Sequence, residues 1–300
     1  MDLKFAHIIN PFVAKPGSST TQTQAMTLQS FRNALAAKQG DYRVEVCTVQ
    51  LDAEPDVAPD FKSLPSLSRT VADLHQFTRP KPYPLIADVL KQAENVDATH
   101  LIFSNMDIIL MPHFYDAVAQ YIEAGHDALI INRRRIANRF STPEQLPIIY
   151  SEIGKSHPGF DCFVFKKSLF SKFILEHICV GVPFIGVSLA HNLFAFSSNY
   201  KLLDEQHLTV HLGLEVMPSR DSEYHAFNRL EFAKIERQLK PHLSPEKLPY
   251  TSLPFYRRVL KWGLNPSVFI AMNLQLEAEG FFGKLRMLYN ELRFKLLETL

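Results

Sequence analysis

The chain has 300 residues, 46% hydrophobic and 21% charged, the profile of a globular protein with enough apolar material for one large domain or two modest ones. Its formal net charge is +1, and its longest basic tract is Arg133-Arg134-Arg135, which excludes the electrostatic footprint of a nucleic-acid binder. Cys47, Cys162 and Cys179 lack the spacing of a disulfide framework or a zinc knuckle, so a reducing, cytoplasmic setting without export is expected.

Lys4–Asn10 is a continuous apolar run closed by Asn10-Pro11, the pattern of a first parallel strand covered on both faces. A Gly/Ser/Thr-rich loop over 16–23 then leads to a predicted helix over 24–38, with Gly40 as its C-cap glycine. Tyr42–Leu51 alternates as a second strand. Residues 52–84 hold six prolines, marking a long irregular connection of the kind that is often functional.

Leu85–Glu94 reads as a helix and Leu101–Phe103 as the next strand, followed by an amphipathic helix over Phe114–Ala124 closed by Gly125. Ala128–Ile131 is another apolar strand, running into Asn132-Arg133-Arg134-Arg135. Strands alternating with helices predict a mostly parallel α/β sheet with helices on both faces. Beyond Phe140 the rhythm changes. A loop from His157 leads to a short strand ending near Phe165, a helix is predicted over 168–177, and the apolar stretch His177–Phe196 reads as a buried turn and core helix. These later segments are expected to pack over the mouth of the first half. Phe281–Leu300 forms a basic amphipathic pattern, with Leu285, Leu288, Leu292 and Leu296 on one stripe.

The chemistry concentrates where strands end. Asn105-Met106-Asp107 breaks an apolar run, and residues two apart on an extended chain point to one side. One amide oxygen and one carboxylate can therefore meet a hard cation and its phosphates just beyond the sheet. Asn10-Pro11 and Asn132–Arg135 end neighbouring strands, and in open parallel sheets ligands bind at that edge.

In this order of elements the chain resembles a GT-A fold nucleotide-sugar glycosyltransferase, of the glycosyltransferase family 2-like type, in which a D-x-D element ends a strand. Asn105 takes the place of the first aspartate, so the motif is an N-x-D variant. The Pro84–Leu90 segment resembles the nucleotide-side helix, His157-Pro-Gly-Phe-Asp161 the acceptor-side loop, and Leu208-Thr-Val-His211 the later metal-completing histidine. The resemblance implies a nucleotide-sugar-binding half over 1–140, an acceptor-side half over 141–244 and a helical extension over 245–300. It implies that Asn10 and Pro11 line the nucleoside pocket. Asn105, Asp107 and Arg133 would meet the diphosphate, and Asp107 and His211 would hold a divalent cation, Mn2+ or Mg2+.

Asp161 is the candidate base for an acceptor hydroxyl, with Asp221 and Glu223 in reserve. Each residue also has a plainer reading: a turn cap for Asn105, Asp107 and Asp161, a strand-end histidine for His211, and a solvated basic turn for the arginines. His191 and Asn192 read as core polar residues with local partners. The expected reaction is inverting transfer of a sugar to a glycan, lipid-linked glycan or other hydroxyl acceptor in polysaccharide biosynthesis. The alternatives are a nucleotidyltransferase and a non-catalytic sugar-binding or scaffolding protein. The C-terminal helix suggests peripheral membrane contact or a homodimer interface.

Overall fold

The computed structural model describes residues 2–157, 159–213, 222–243 and 245–264. In chain order the elements are β1 (Lys4–Ile9), α1 (Ser19–Ala37), β2 (Arg43–Thr48), β3 (Lys62–Ser63), α2 (Ile86–Lys91), β4 (His100–Ser104) and β5 (Ile109–Leu110). Next come α3 (Phe114–Glu123), β6 (Ala128–Ile131), β7 (Arg134–Ile136), α4 (Leu146–Ser151), β8 (Lys155–Ser156), β9 (Cys162–Lys166) and α5 (Lys167–Phe170). The last are α6 (Ile185–Phe196), β10 (Tyr200–Leu203), β11 (Thr209–Leu212), α7 (Ser222–Leu239) and α8 (Phe255–Leu264).

The main sheet is seven-stranded, in the order β10-β6-β9-β4-β1-β2-β3. Its pairings are parallel except those of β9, which runs antiparallel to both β4 and β6. Strands buried on both faces need apolar side chains in both directions. β1 meets this by alternation: Phe5 and Ile9 join one core with Phe31, Phe114 and Leu129, while Ala6 and Ile8 join the other with Val89, Phe163, Leu189 and Phe232. Helices α1 and α3 therefore cover one face and α2, α6 and α7 the other.

A second, four-stranded sheet has the order β5-β11-β7-β8. The chain enters it directly from the main sheet, leaving β6 at Ile131 and starting β7 at Arg134.

Several local expectations are corrected. α1 begins at Ser19 because the Ser18 hydroxyl accepts the Thr21 N–H at 3.3 Å, a serine N-cap. It ends at Lys38, and Gly40 is not its cap: the Gly40 N–H donates to Asp116, and its bare Cα leaves room for the Tyr42 ring. The helix expected over 168–177 shrinks to α5. Asn192 of α6 bonds both the N–H and the carbonyl of Ile174, at 2.7 and 2.8 Å, giving that backbone partners other than a helix. The segments after Phe140 do not simply lie over the mouth. β9 sits inside the main sheet and β10 at its edge, because the run Cys162–Phe165 is buried throughout. Among the described residues no helix is long and apolar enough to cross a membrane. The Phe281–Leu300 helix lies outside the described residues.

Candidate functional site

The topology sends several chain segments to one edge of the main sheet. Parallel β1, β4, β6 and β10 end there, and antiparallel β9 begins there, with Cys162 in register with both Ser104 and Ile131. Asn10, Asn105–Asp107, Asn132–Arg133 and Asp161 are therefore the first residues beyond the sheet on one side. The end of β4 is pinned from below. His7 Nε2 lies 2.9 Å from the Ser104 hydroxyl and Nδ1 lies 3.1 Å from the Tyr115 hydroxyl. Burial pushes His7 down to about 3, so this bridge is neutral.

Past Ser104 the chain turns, with the Ile108 N–H donating to the Asn105 carbonyl at 3.3 Å. Asn105 and Asp107 thus bracket a turn rather than sharing one side of an extended strand. What aims Asp107 is the next element: β5 pairs antiparallel with β11, placing Ile109 opposite Val210, and His211 follows. Asp107 Oδ2 lies 3.2 Å from His211 Nε2, about the 3 Å that separates neighbouring ligands on a small octahedral cation. Burial pushes the Asp107 carboxyl up, but the His211 hydrogen bond and the charges of His211 and Arg133 outweigh it and hold the group below its usual range.

Beside this pair, Arg133 Nη1 donates to Asp161 Oδ1 at 2.6 Å, with both side chains nearly sealed from solvent. The other oxygen, Asp161 Oδ2, stands 4.0 Å from His157 Nε2. Burial raises the Asp161 carboxyl, with Asp107 adding to the effect against the opposing charges of Arg133 and His211. Burial and the charges of Arg133, Arg135 and His211 push His157 well down, leaving a neutral ring. The pairing of β7 with β8 returns His157 to this place, where its carbonyl accepts from Asn132 Nδ2 at 3.1 Å. Gly159 is bare because a Cβ there would press on the His157 ring.

Asp107 Oδ1, Asn132 Oδ1, Arg133 Nε, His157 Nδ1, Asp161 Oδ2 and His211 Nδ1 are all buried without a hydrogen-bond partner among the described residues. Each such atom costs about 1–3 kcal/mol, and native proteins rarely leave them so. Gathered at one sheet edge, they form a polar cluster suited to a polyoxygenated ligand or a cation.

Of the residues singled out from sequence, the fold brings Asp107, His211, Arg133 and Asp161 together, with Asn105 at the start of the same turn. Asn10 lies farther along the edge, where its Nδ2 donates to the Val49 carbonyl at 2.7 Å and joins the ends of β1 and β2, with Pro11 buried next to it. Arg134 and Arg135 face the β8 side: Arg134 donates to the carbonyls of Ile153 and Gly154 and Arg135 to that of Ser156. Arg133 is the member of the triplet that pairs with Asp161. Glu223 accepts from the Thr78 N–H and hydroxyl, so it is tied to the 52–84 connection. Asp221 lies outside the described residues. Asn192 has the local backbone partners expected of a core polar residue.

His157 and Asn132 were not foreseen as site residues. Both stand in segments that sequence reading marked, but only the pairing of β7 with β8 makes them neighbours.

Two other features lie elsewhere. An open surface depression of about 460 Å3 is lined by Ala98, Thr99, Lys166, Lys167 and Ser168, at the opposite edge of the sheet, away from the polar cluster. Glu176, His177 and Glu231 bring ligand atoms within 4.8 Å of one another, but Lys234 pairs with Glu231 and Gln238 donates to Glu176.

No family model matches this sequence, and no curated protein matches it. Solved structures do resemble it. S. aureus TarS residues 1–349 is 12% identical with a TM-score of 0.47, covering 93% of this chain and 74% of that one. The same protein in complex with UDP-GlcNAc gives 12% identity and a TM-score of 0.46, covering 92% and 78%. Glucosyl-3-phosphoglycerate synthase from Mycobacterium tuberculosis, in complex with Mg2+ and uridine diphosphate, is 11% identical with a TM-score of 0.42, covering 79% and 80%.

Proposed function

We propose that this chain is a nucleotide-sugar-dependent glycosyltransferase with a GT-A-like arrangement, moving a sugar from a nucleoside-diphosphate donor to a hydroxyl of a glycan or lipid-linked glycan. The observation that carries this reading is the juxtaposition, at the carboxyl edge of the sheet, of the Asp107–His211 pair with the Arg133–Asp161 pair. One pair suits a cation and its diphosphate. The other offers a base beside a counter-charge.

In this reading residues 1–140 bind the donor and 141–244 the acceptor. Asn10 and Pro11 line the nucleoside pocket, and Asn105 lends its amide to the diphosphate side. Asp107 and His211 would hold Mn2+ or Mg2+, a fit supported by their 3.2 Å separation and by the orphaned Asp107 Oδ1. A cation bound there supplies charge stabilisation for the leaving diphosphate.

The chain's own residues do the rest. The acceptor oxygen attacks the anomeric carbon, its proton passes to Asp161 Oδ2, and the bond from that carbon to the diphosphate oxygen breaks with its electron pair leaving on the diphosphate. A carboxyl raised by burial is a stronger base than a solvated one, so burial of Asp161 favours the proton transfer. Arg133 orients Asp161 through the 2.6 Å contact and adds positive charge where the diphosphate departs. One placed base is all that displacement with inversion requires.

The test is thermal-shift screening of the wild type and Asp107→Ala against UDP-, GDP-, CMP- and dTDP-sugars, with and without manganese. At least one nucleotide should raise the wild-type Tm by several degrees with manganese present, as a ligand near a hundredfold above its Kd adds about 2.7 kcal/mol. The shift should be lost in Asp107→Ala. If no nucleotide moves the wild-type Tm under either condition, the transferase reading is abandoned.

A further inference from the structure

We propose that α8 is a docking helix that lays the protein on an anionic lipid surface, an inference that stands apart from the transfer reading. Phe255, Tyr256 and Leu260 are 71%, 68% and 61% exposed, a density of bare apolar side chains that a water-facing helix normally avoids. At 3.6 residues per turn these residues fall within an arc of about 140°, while Arg257, Lys261 and Arg258 occupy an arc of about 100° on the other side. α8 contains no acidic residue. An exposed aromatic face flanked by cations is the build of an interfacial helix, whose apolar side enters the acyl boundary while its cations meet the headgroups.

The cations sit close to the aromatic rings. The Arg257 guanidinium lies 5.8 Å from the Tyr256 ring centre and that of Arg258 lies 5.7 Å from the Phe255 ring centre, so charge and apolar surface reach one plane together. The helix is also anchored to the rest of the molecule. Just before it, the Tyr250 hydroxyl donates to Asp204 Oδ2 at 2.9 Å, and from within it Lys261 Nζ lies 4.0 Å from the same oxygen. Asp204 follows β10, whose end lies on the sheet edge that carries the polar cluster. Lipid contact through α8 therefore sets that edge next to the membrane.

Charge complementarity selects the occupant. A second copy of the chain meeting this face about a two-fold axis would bring like cations together. Residues 265–300 carry four basic and four acidic side chains and offer no net negative charge. With three basic residues and no acidic one, α8 carries a net positive charge that anionic headgroups complement.

The experiment is co-sedimentation of the full chain with vesicles of phosphatidylcholine alone and of phosphatidylcholine with phosphatidylglycerol. The protein should pellet with the anionic vesicles only, and less as sodium chloride rises, because charge attraction at a lipid surface is screened by salt. Binding should fall tenfold or more in the triple variant Phe255→Ser, Tyr256→Ser, Leu260→Ser, and also in Arg257→Glu. Both variants should keep the wild-type Tm, since the changed side chains are exposed. The proposal is overturned if the wild type stays in the supernatant with anionic vesicles, or if both variants pellet as the wild type does. It is equally overturned if gel filtration shows a wild-type dimer that the triple variant breaks while neither protein binds vesicles.

Discussion

Asp161 has one oxygen held by Arg133 and the other facing His157 without a hydrogen-bond partner among the described residues. This division suits a base, because one lone pair orients the group while the other stays available for a proton. Asp161→Asn keeps the shape and removes the basicity. Sugar transfer should fall by about 10²–10⁴-fold while the nucleotide-induced Tm shift survives; transfer within a few-fold of wild type would remove Asp161 from this role. Asp107, Asp161 and His211 were legible as residues, because polar groups that interrupt apolar runs stand out in a linear chain. His157 was not legible in the same way. Its place depends on the β7–β8 pairing and on a glycine two positions on, neither of which leaves a local pattern.

At the scale of elements, α6 approaches the segment before β9 closely at Phe160, the residue next to Asp161. Gly186 opens that helix against the Phe160 carbonyl oxygen, and a Cβ on Gly186 would collide with it. The preceding residue but one, Phe184, takes a left-handed φ of 91° to make the entry, a strain that a side chain tolerates only when packing imposes it. Gly186→Ala should therefore cost about 1–3 kcal/mol by overpacking and reduce transfer by displacing Asp161. Urea denaturation and a transfer assay read the two effects; a variant of unchanged stability would show that the contact yields freely. Most elements were legible from their apolar period. α5 was not, since the Asn192 side chain, far along the chain, competes for the Ile174 backbone.

For the molecule as a whole, buried neutral histidines couple folding to acid. Burial lowers His7 to about 3, His100 to about 4, with the Lys166 charge adding to it, and His157 well below its usual value. Each is depressed relative to an unfolded histidine near 6.5, so its contribution to stability is complete above pH 6.5 and is lost as pH falls toward the folded values. Melts followed from pH 7 to pH 5 should show Tm falling by several degrees, and His7→Gln, though less stable at pH 7, should show a shallower slope. A Tm flat across that range contradicts the account. The strand and helix segments, the α/β alternation and the polar residues at strand ends were determined by the sequence alone, because periodicity and turn chemistry act over a few residues. The insertion of β9 between β4 and β6, the second sheet, and the meeting of Arg133 with Asp161 were decided only by the tertiary structure, whereas the meeting of Asp107 with His211 was expected from the family resemblance and not from any local pattern. Strand order and register rest on pairings between residues far apart in the chain, for which short-range patterns carry no record.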